Sequence, residues 1–350
     1  MEKIQMKSFI AVCICFFSAA HAFGQKIDET RLDSAIAVGD GIIETDPRAF
    51  FKNVESLIIY SKDRVIFEKY CNGIVADSLH HIQSQTKSIV ALLMGIAIDK
   101  GFIKNEDELV SAYFPKYFSG DDSLKSAVTI RDLLTMSAGF DWEEMIPEND
   151  PRNDNMNMFR SGRWLEYALS RSMVQRPFSG FRYNSGCPMI VAGIIEQATG
   201  MKMDEFAGKY LFEPLGIHTF RWLKDSTGFC HAGGGLFLKP KDMLEIGVLV
   251  LNNGTRDGRR IVSQEWIGRA TRSYFSTLFD GGAYGYFWWI RDMTTGAGRT
   301  TRVLSAEGAG GQNLYVFPEY NLIIAFTERN YSTPQVGPLF IRESILPVLE

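Results

Sequence analysis

The sequence predicts an α/β (α+β) protein: an antiparallel sheet flanked by helices, built from both chain ends, with a mostly helical domain inserted between them. Two observations predict it. β-branched and aromatic runs cluster at residues 56–70 and again after residue 284, while the stretch between them is mostly helical pattern. No internal repeat or low-complexity linker divides the 350 residues. With 45% hydrophobic and 13% aromatic residues the chain is too apolar to be disordered, and its formal charge of −4 lacks the basic footprint of a nucleic-acid binder.

The elements follow in order. Ser56–Tyr60 and Val65–Tyr70 flank the polar turn Ser61–Arg64 and read as a hairpin. From Ser84, Ile89, Val90, Leu92, Leu93, Ile96 and Ile98 are apolar on more than one face and Gly101 follows, which predicts a buried helix with a glycine stop. Further helices are expected at Ile130–Met136 (capped by Thr129), Trp164–Arg171, Pro188–Thr199, Met203–Leu211 and Pro240–Leu251. The polar run Glu148–Asn157 reads as a surface excursion. Tyr284–Ile290, Arg302–Ser305, Asn313–Phe317 and Leu322–Thr327 read as strands, and Gln335–Leu349 as a closing helix. The expected division is a sheet domain of 23–86 and 233–350, a helical domain of 87–232, and an active site between them.

Residues 1–22 read as a signal peptide. Lys3 and Lys7 precede the apolar run Phe9–Ala20, and Ala20-His21-Ala22 has the small-x-small form of a cleavage site. The run is too short to cross a bilayer, so an exported protein, periplasmic or secreted, without a stable membrane anchor is expected. Cys71, Cys187 and Cys230 would remain after cleavage. Their odd number and irregular spacing read as buried small hydrophobes or one optional bridge rather than a disulfide framework. No CxxC, HExxH or His/Cys cluster offers a metal site, and no cofactor is expected.

Ser84-Gln85-Thr86-Lys87 is the strongest chemical signal. Positions three apart share a helix face, so the Lys87 ammonium can reach the Ser84 hydroxyl. A serine nucleophile needs such a partner, and a first helical turn favours developing negative charge. Alone, this spacing also fits an ordinary solvated helix start; the apolar helix behind it argues for more. Tyr183, in Phe181–Gly186, could serve as a general base beside an ammonium, or be a plain turn tyrosine. Ser305–Gln312 carries glycines that let a ligand approach the backbone, or else a simple bulge. His231, alone among glycines, reads as structural. Trp142, Trp288 and Trp289 could wall an acyl pocket, although core packing is expected for at least two of them.

In this order and spacing the three segments resemble the serine β-lactamase-like superfamily, in its class C β-lactamase, D-alanyl-D-alanine carboxypeptidase and esterase group. Thr129–Gly139, Gly233-Gly234-Gly235-Leu236 and Tyr284–Trp289 extend the likeness over nearly the whole mature chain. The resemblance implies Ser84 as acylated nucleophile, Lys87 as its activating partner and Tyr183 as proton shuttle. It also implies an oxyanion hole from the backbone amides of Ser84 and Ala309. Ser185 would replace the usual Asn of the Tyr-x-Asn motif. Ala306-Glu307-Gly308 would replace Lys-Thr-Gly and, with Ser185, contact substrate. Losing that cation beside an acidic Glu307 should disfavour anionic substrates.

Both departures resemble the branch with esterases and 6-aminohexanoate-oligomer amidases. The resemblance therefore implies a serine hydrolase acting on a small ester, amide or peptide-like substrate. The alternatives are a class C-type β-lactamase or D-alanyl-D-alanine carboxypeptidase, or a non-catalytic peptidoglycan or β-lactam binding protein on the same fold. A Ser-His-Asp hydrolase of the α/β type is disfavoured, because no Gly-x-Ser-x-Gly elbow occurs.

Overall fold

β1 (Val54–Ser61) and β2 (Arg64–Tyr70) pair antiparallel across Lys62 and Asp63, whose φ values are +52° and +61°. A two-residue loop with both φ positive has a twist that matches its flanking strands. The turn therefore closes in two residues rather than the expected four. The structure, a computed structural model, describes residues 27, 29–46, 48–118, 123–277 and 281–350. The expected signal peptide lies outside the described residues.

β3 (His80–His81), β4 (Arg221–Trp222) and β5 (Leu236–Leu238) form a small sheet in the order β3-β5-β4, and β6 (Thr255–Arg256) pairs with β7 (Arg259–Arg260). The remaining strands are β8 (Phe275–Ser276), β9 (Ala283–Tyr284), β10 (Trp289–Thr294), β11 (Thr300–Gly308), β12 (Gln312–Phe317) and β13 (Leu322–Glu328). Among the described residues they join the N-terminal hairpin in an antiparallel sheet ordered β2-β1-β13-β12-β11-β10-β9-β8. The first hairpin lies directly against the last strand, so the sheet is assembled from both chain ends.

Strand alternation divides the core into two layers. Leu322, Ile324 and Phe326 of β13 face one cluster, and Ile323 and Ala325 face the other. The first layer is closed by helix Glu29–Thr45 through Leu32, Ile36 and Ile43, together with the C-terminal segment Val336–Val348. The second is closed by helix Gln85–Asp99, by Gly186–Thr199 and by Pro240–Leu251. Helix Pro240–Leu251 sits so close to the sheet that a Cβ at Gly247 would meet Ile323 at 2.9 Å.

Several expectations change. Helix Glu29–Thr45 had no counterpart in the sequence reading. The expected strand Tyr284–Ile290 is two strands, β9 and the start of β10, joined by a reversal with Phe287 at φ +58°. A Cβ at Gly285 would lie 2.2 Å from the carbonyl oxygen of Ala270, so only glycine fits inside that reversal. The polar run Glu148–Asn157 is a surface excursion only in part. Asn153 and Asp154 are buried and open helix Asp154–Ser161, and Asp154 accepts from the Glu143 amide and the Tyr167 hydroxyl. The helix expected at Ile130–Met136 ends at Leu134 because Met136 turns left-handed (φ +56°); its cap is Thr129, as expected. Cys71, Cys187 and Cys230 are unpaired, and burial raises the pKa of all three thiols. No described helix is long and apolar enough to cross a membrane.

Candidate active site

The Ser84 helix brings the first two groups together. Ser84 precedes Gln85–Asp99 at its N-terminus, and Lys87 Nζ, one turn on, donates to Ser84 Oγ at 2.8 Å and to the Gly233 carbonyl at 2.5 Å. Lys87 is 1% exposed, and its ammonium lies 5.0 Å from the centroid of the Tyr183 ring. Tyr183 stacks on Trp289 at 5.9 Å. Ser84, Tyr183, Trp289, Glu307, Gly308 and Ala309 share one cleft of about 350 Å³. Neither the Ser84 nor the Ala309 N–H donates in a turn, loop or cap among the described residues.

The residue before Ser84 is strained. Gln83 has φ +52°, a region that costs a non-glycine residue free energy unless its surroundings hold it there. Gln83 Nε2 pairs with His81 Nδ1 at 3.0 Å, and His81 Nε2 lies 2.5 Å from the Gly234 carbonyl. Burial lowers the pKa of His81 and favours neutral imidazole. An Nε2–H tautomer then satisfies both contacts. The glycine segment 233–234 is thereby tied to Lys87 at one carbonyl and to His81 at the next. A Cβ at Gly308 would lie 2.4 Å from the Ile82 carbonyl, so glycine is what lets the end of β11 pack against the segment leading into Ser84.

Two expected substrate contacts fall elsewhere. Ser185 is buried, and both its amide and its hydroxyl donate to the Glu144 carboxylate, at 2.7 and 2.9 Å. Ala306 is also buried, on the face of β11 turned into the core, as period-two alternation requires when Glu307 faces the other way. Position 306, which lacks a cation, has one nearby that the sequence reading did not place. Arg291, on the neighbouring β10, lines the cleft, forms an ion pair with Glu307 and donates to Ser305 Oγ at 2.8 Å.

Glu144 was missed by the sequence reading. Besides Ser185 it accepts from Trp142 Nε1 at 2.6 Å. Burial raises the pKa of its carboxyl, opposed first by the positive charge of Lys87 and then by these hydrogen bonds. Lys87 is thus the positive charge that most opposes protonation of this buried carboxyl. Glu328 holds the opposite wall. Its carboxylate accepts from the Val336 and Gly337 amides at 2.9 and 2.8 Å and from Asn330 at 2.6 Å, fixing the segment that presents Gln335 to the cleft. Burial raises its pKa to about 7. His231 is structural, packed 4.8 Å from Trp164 with its pKa pushed down to about 3 by burial. Trp142 and Trp288 are core residues and Trp289 lines the cleft. No cluster among the described residues could hold a metal.

The 6-aminohexanoate-dimer hydrolase of Paenarthrobacter ureafaciens is 26% identical over 290 residues, covering 77% of this chain and 71% of that protein. Two solved structures share the fold. EstCE1, a hydrolase with promiscuous acyltransferase activity, has a TM-score of 0.73 at 15% identity, over 91% of this chain and 99% of that one. The octameric penicillin-binding protein homologue from Pyrococcus abyssi has a TM-score of 0.64 at 20% identity, over 91% and 77%. The sequence profile of the Beta-lactamase family matches residues 54–342. With most of its length inside that match, the chain belongs to the β-lactamase family and is a serine hydrolase of that family.

Proposed function

We propose that the protein hydrolyses esters or small amides through an acyl-enzyme on Ser84. The observation that carries this is the Lys87 ammonium 2.8 Å from Ser84 Oγ, in a cleft that also holds Tyr183 and Ala309. Ser84 Oγ attacks the substrate carbonyl carbon as its proton passes to Tyr183, acting as phenolate, whose ring centroid lies 5.0 Å from the Lys87 ammonium. The Ser84 and Ala309 amides donate to the carbonyl oxygen as it gains charge. The C–O or C–N bond then breaks, and Tyr183 protonates the leaving alcohol or amine. Water gives a proton to Tyr183 and attacks the acyl carbon, and Ser84 Oγ regains a proton as the acid departs.

The amide-hydrolase name of the Paenarthrobacter relative and the hydrolase title of EstCE1 support this substrate class. Among the described residues lining the cleft, Arg291 is the cation that favours a carboxylate-bearing substrate, and its ion pair with Glu307 already neutralises it. Short-chain p-nitrophenyl esters should therefore be turned over with higher kcat/KM than nitrocefin; the reverse order overturns the substrate assignment. A fluorophosphonate probe should label wild type and not Ser84→Ala. A folded but unreactive wild type would favour a binding protein on the same fold. The N-terminal leader supports export, and the secreted protein should begin near Phe23 on N-terminal sequencing.

A further inference from the structure

We propose that a second cavity, bordering the catalytic cleft at Arg291 and Glu307, receives the leaving-group arm of the substrate, and that this arm is an unbranched apolar alcohol or amine. The inference rests on the acyl-enzyme reading, with Tyr183 as proton donor. The cavity holds about 420 Å³ between β10–β11 and the C-terminal segment. Met293, Val303, Tyr315, Pro338, Ile341 and Leu346 supply its apolar lining. Arg291 and Glu307 line both it and the cleft, so the two spaces meet at that ion pair.

The direction follows from β10. Trp289, Arg291 and Met293 alternate onto one face of the strand. Tyr183 stacks on Trp289, the Arg291 guanidinium lies 5.6 Å from the Trp289 ring, and Met293 lies in the second cavity. A continuous row therefore leads from the proton donor into the apolar space. The group that Tyr183 protonates is the leaving group, so the arm on that side of the scissile bond follows this row. At the neck, guanidinium and carboxylate neutralise each other, and an uncharged chain passes without meeting an unpaired charge.

The test compares two ester series on the full chain: n-alkyl acetates from ethyl to hexyl, and p-nitrophenyl esters of the matching acids. Wild-type kcat/KM should rise about two- to fourfold per methylene in the alkyl acetates, as expected for burying each CH2, and much less in the acyl series. Met293→Trp and the exposed Arg342→Trp each place an indole against the cavity and should each reduce the hexyl-to-ethyl ratio at least tenfold. A flat alkyl series, a rise confined to the acyl series, or a rise that survives in both variants overturns the proposal. Fluorophosphonate labelling separates the two readings. Labelled wild type with a flat alkyl series defeats the cavity assignment alone, whereas unlabelled wild type with no ester turnover defeats both.

Discussion

The two walls of the cleft carry the same chemistry under opposite conditions. On the helical wall Lys87 is 1% exposed, and its ammonium is matched by Ser84 Oγ, the Gly233 carbonyl and the buried Glu144. On the strand wall Arg291 and Glu307 have side chains 21% and 26% exposed and satisfy each other at the mouth. A buried ammonium costs several kcal/mol unless every partner is in place, while a half-exposed pair is worth roughly 0–1 kcal/mol. The first arrangement cannot vary without losing the fold's local balance. The second can, which makes the strand wall the place where selectivity is adjusted.

The largest effect expected is on chemistry. Ser84→Ala should lower ester kcat/KM by at least about 10³-fold in a protein that still melts cooperatively, at a somewhat lower midpoint because the Lys87 ammonium loses one acceptor, measured by steady-state assay and melting. If activity survives, the helical wall is not the reactive one. Glu144→Gln should lower unfolding free energy by about 3–5 kcal/mol in urea titration. It offers one acceptor oxygen where three donors, Trp142 Nε1 and the Ser185 amide and hydroxyl, converge on the buried carboxylate. A loss below about 1 kcal/mol would place Glu144 with the tolerant pairs of the mouth.

Glu328 tests whether burial alone produces such sensitivity. Its folded pKa of about 7 lies above the ordinary value of 4.5, so the protonated form is favoured in the native state. Its stabilising contribution is complete below about pH 4.5 and is lost as pH rises through 7. The difference in unfolding free energy between wild type and Glu328→Gln should shift by on the order of 3 kcal/mol across that window. A pH-independent difference would contradict it. The smallest effect belongs to Glu307→Gln, within about 1 kcal/mol in stability. It should raise kcat/KM for carboxylate-bearing esters relative to neutral ones, a gain that added salt erases. No change in that ratio would remove Arg291 from substrate selection.

Legibility in the sequence followed the range of the interactions. The first hairpin, the Ser84 helix and the Ser84–Lys87 spacing depend on neighbours within a few residues, and they could be read. The Tyr284–Ile290 segment could not, because its reversal is imposed by Ala270 against Gly285. Helix Glu29–Thr45 does show Leu32, Ile36 and Ile43 on one face, a helical signal that went unused. Glu144 sits in an acidic run with Glu143 and Glu148 that reads as solvated; its partner Ser185 lies 41 residues away. Motif position located Ser185 and Ala306 but not their direction. For Ala306 the two-residue period of β11 already carried the answer, since Glu307 and Ala306 must face opposite sides.

β10 meets β11 no further than Trp289 opposite Ser305, so Ala306–Gly308 continue beyond their neighbour on that side. Unpaired strand edges are where one chain can template another, and long flat ones invite aggregation. Here the open stretch is three residues long, recessed in a cleft and bordered by the charged Arg291 and Glu307. It is long enough for a single substrate amide to align along it. It is too short and too heavily charged at its border to capture the strand of another protein molecule.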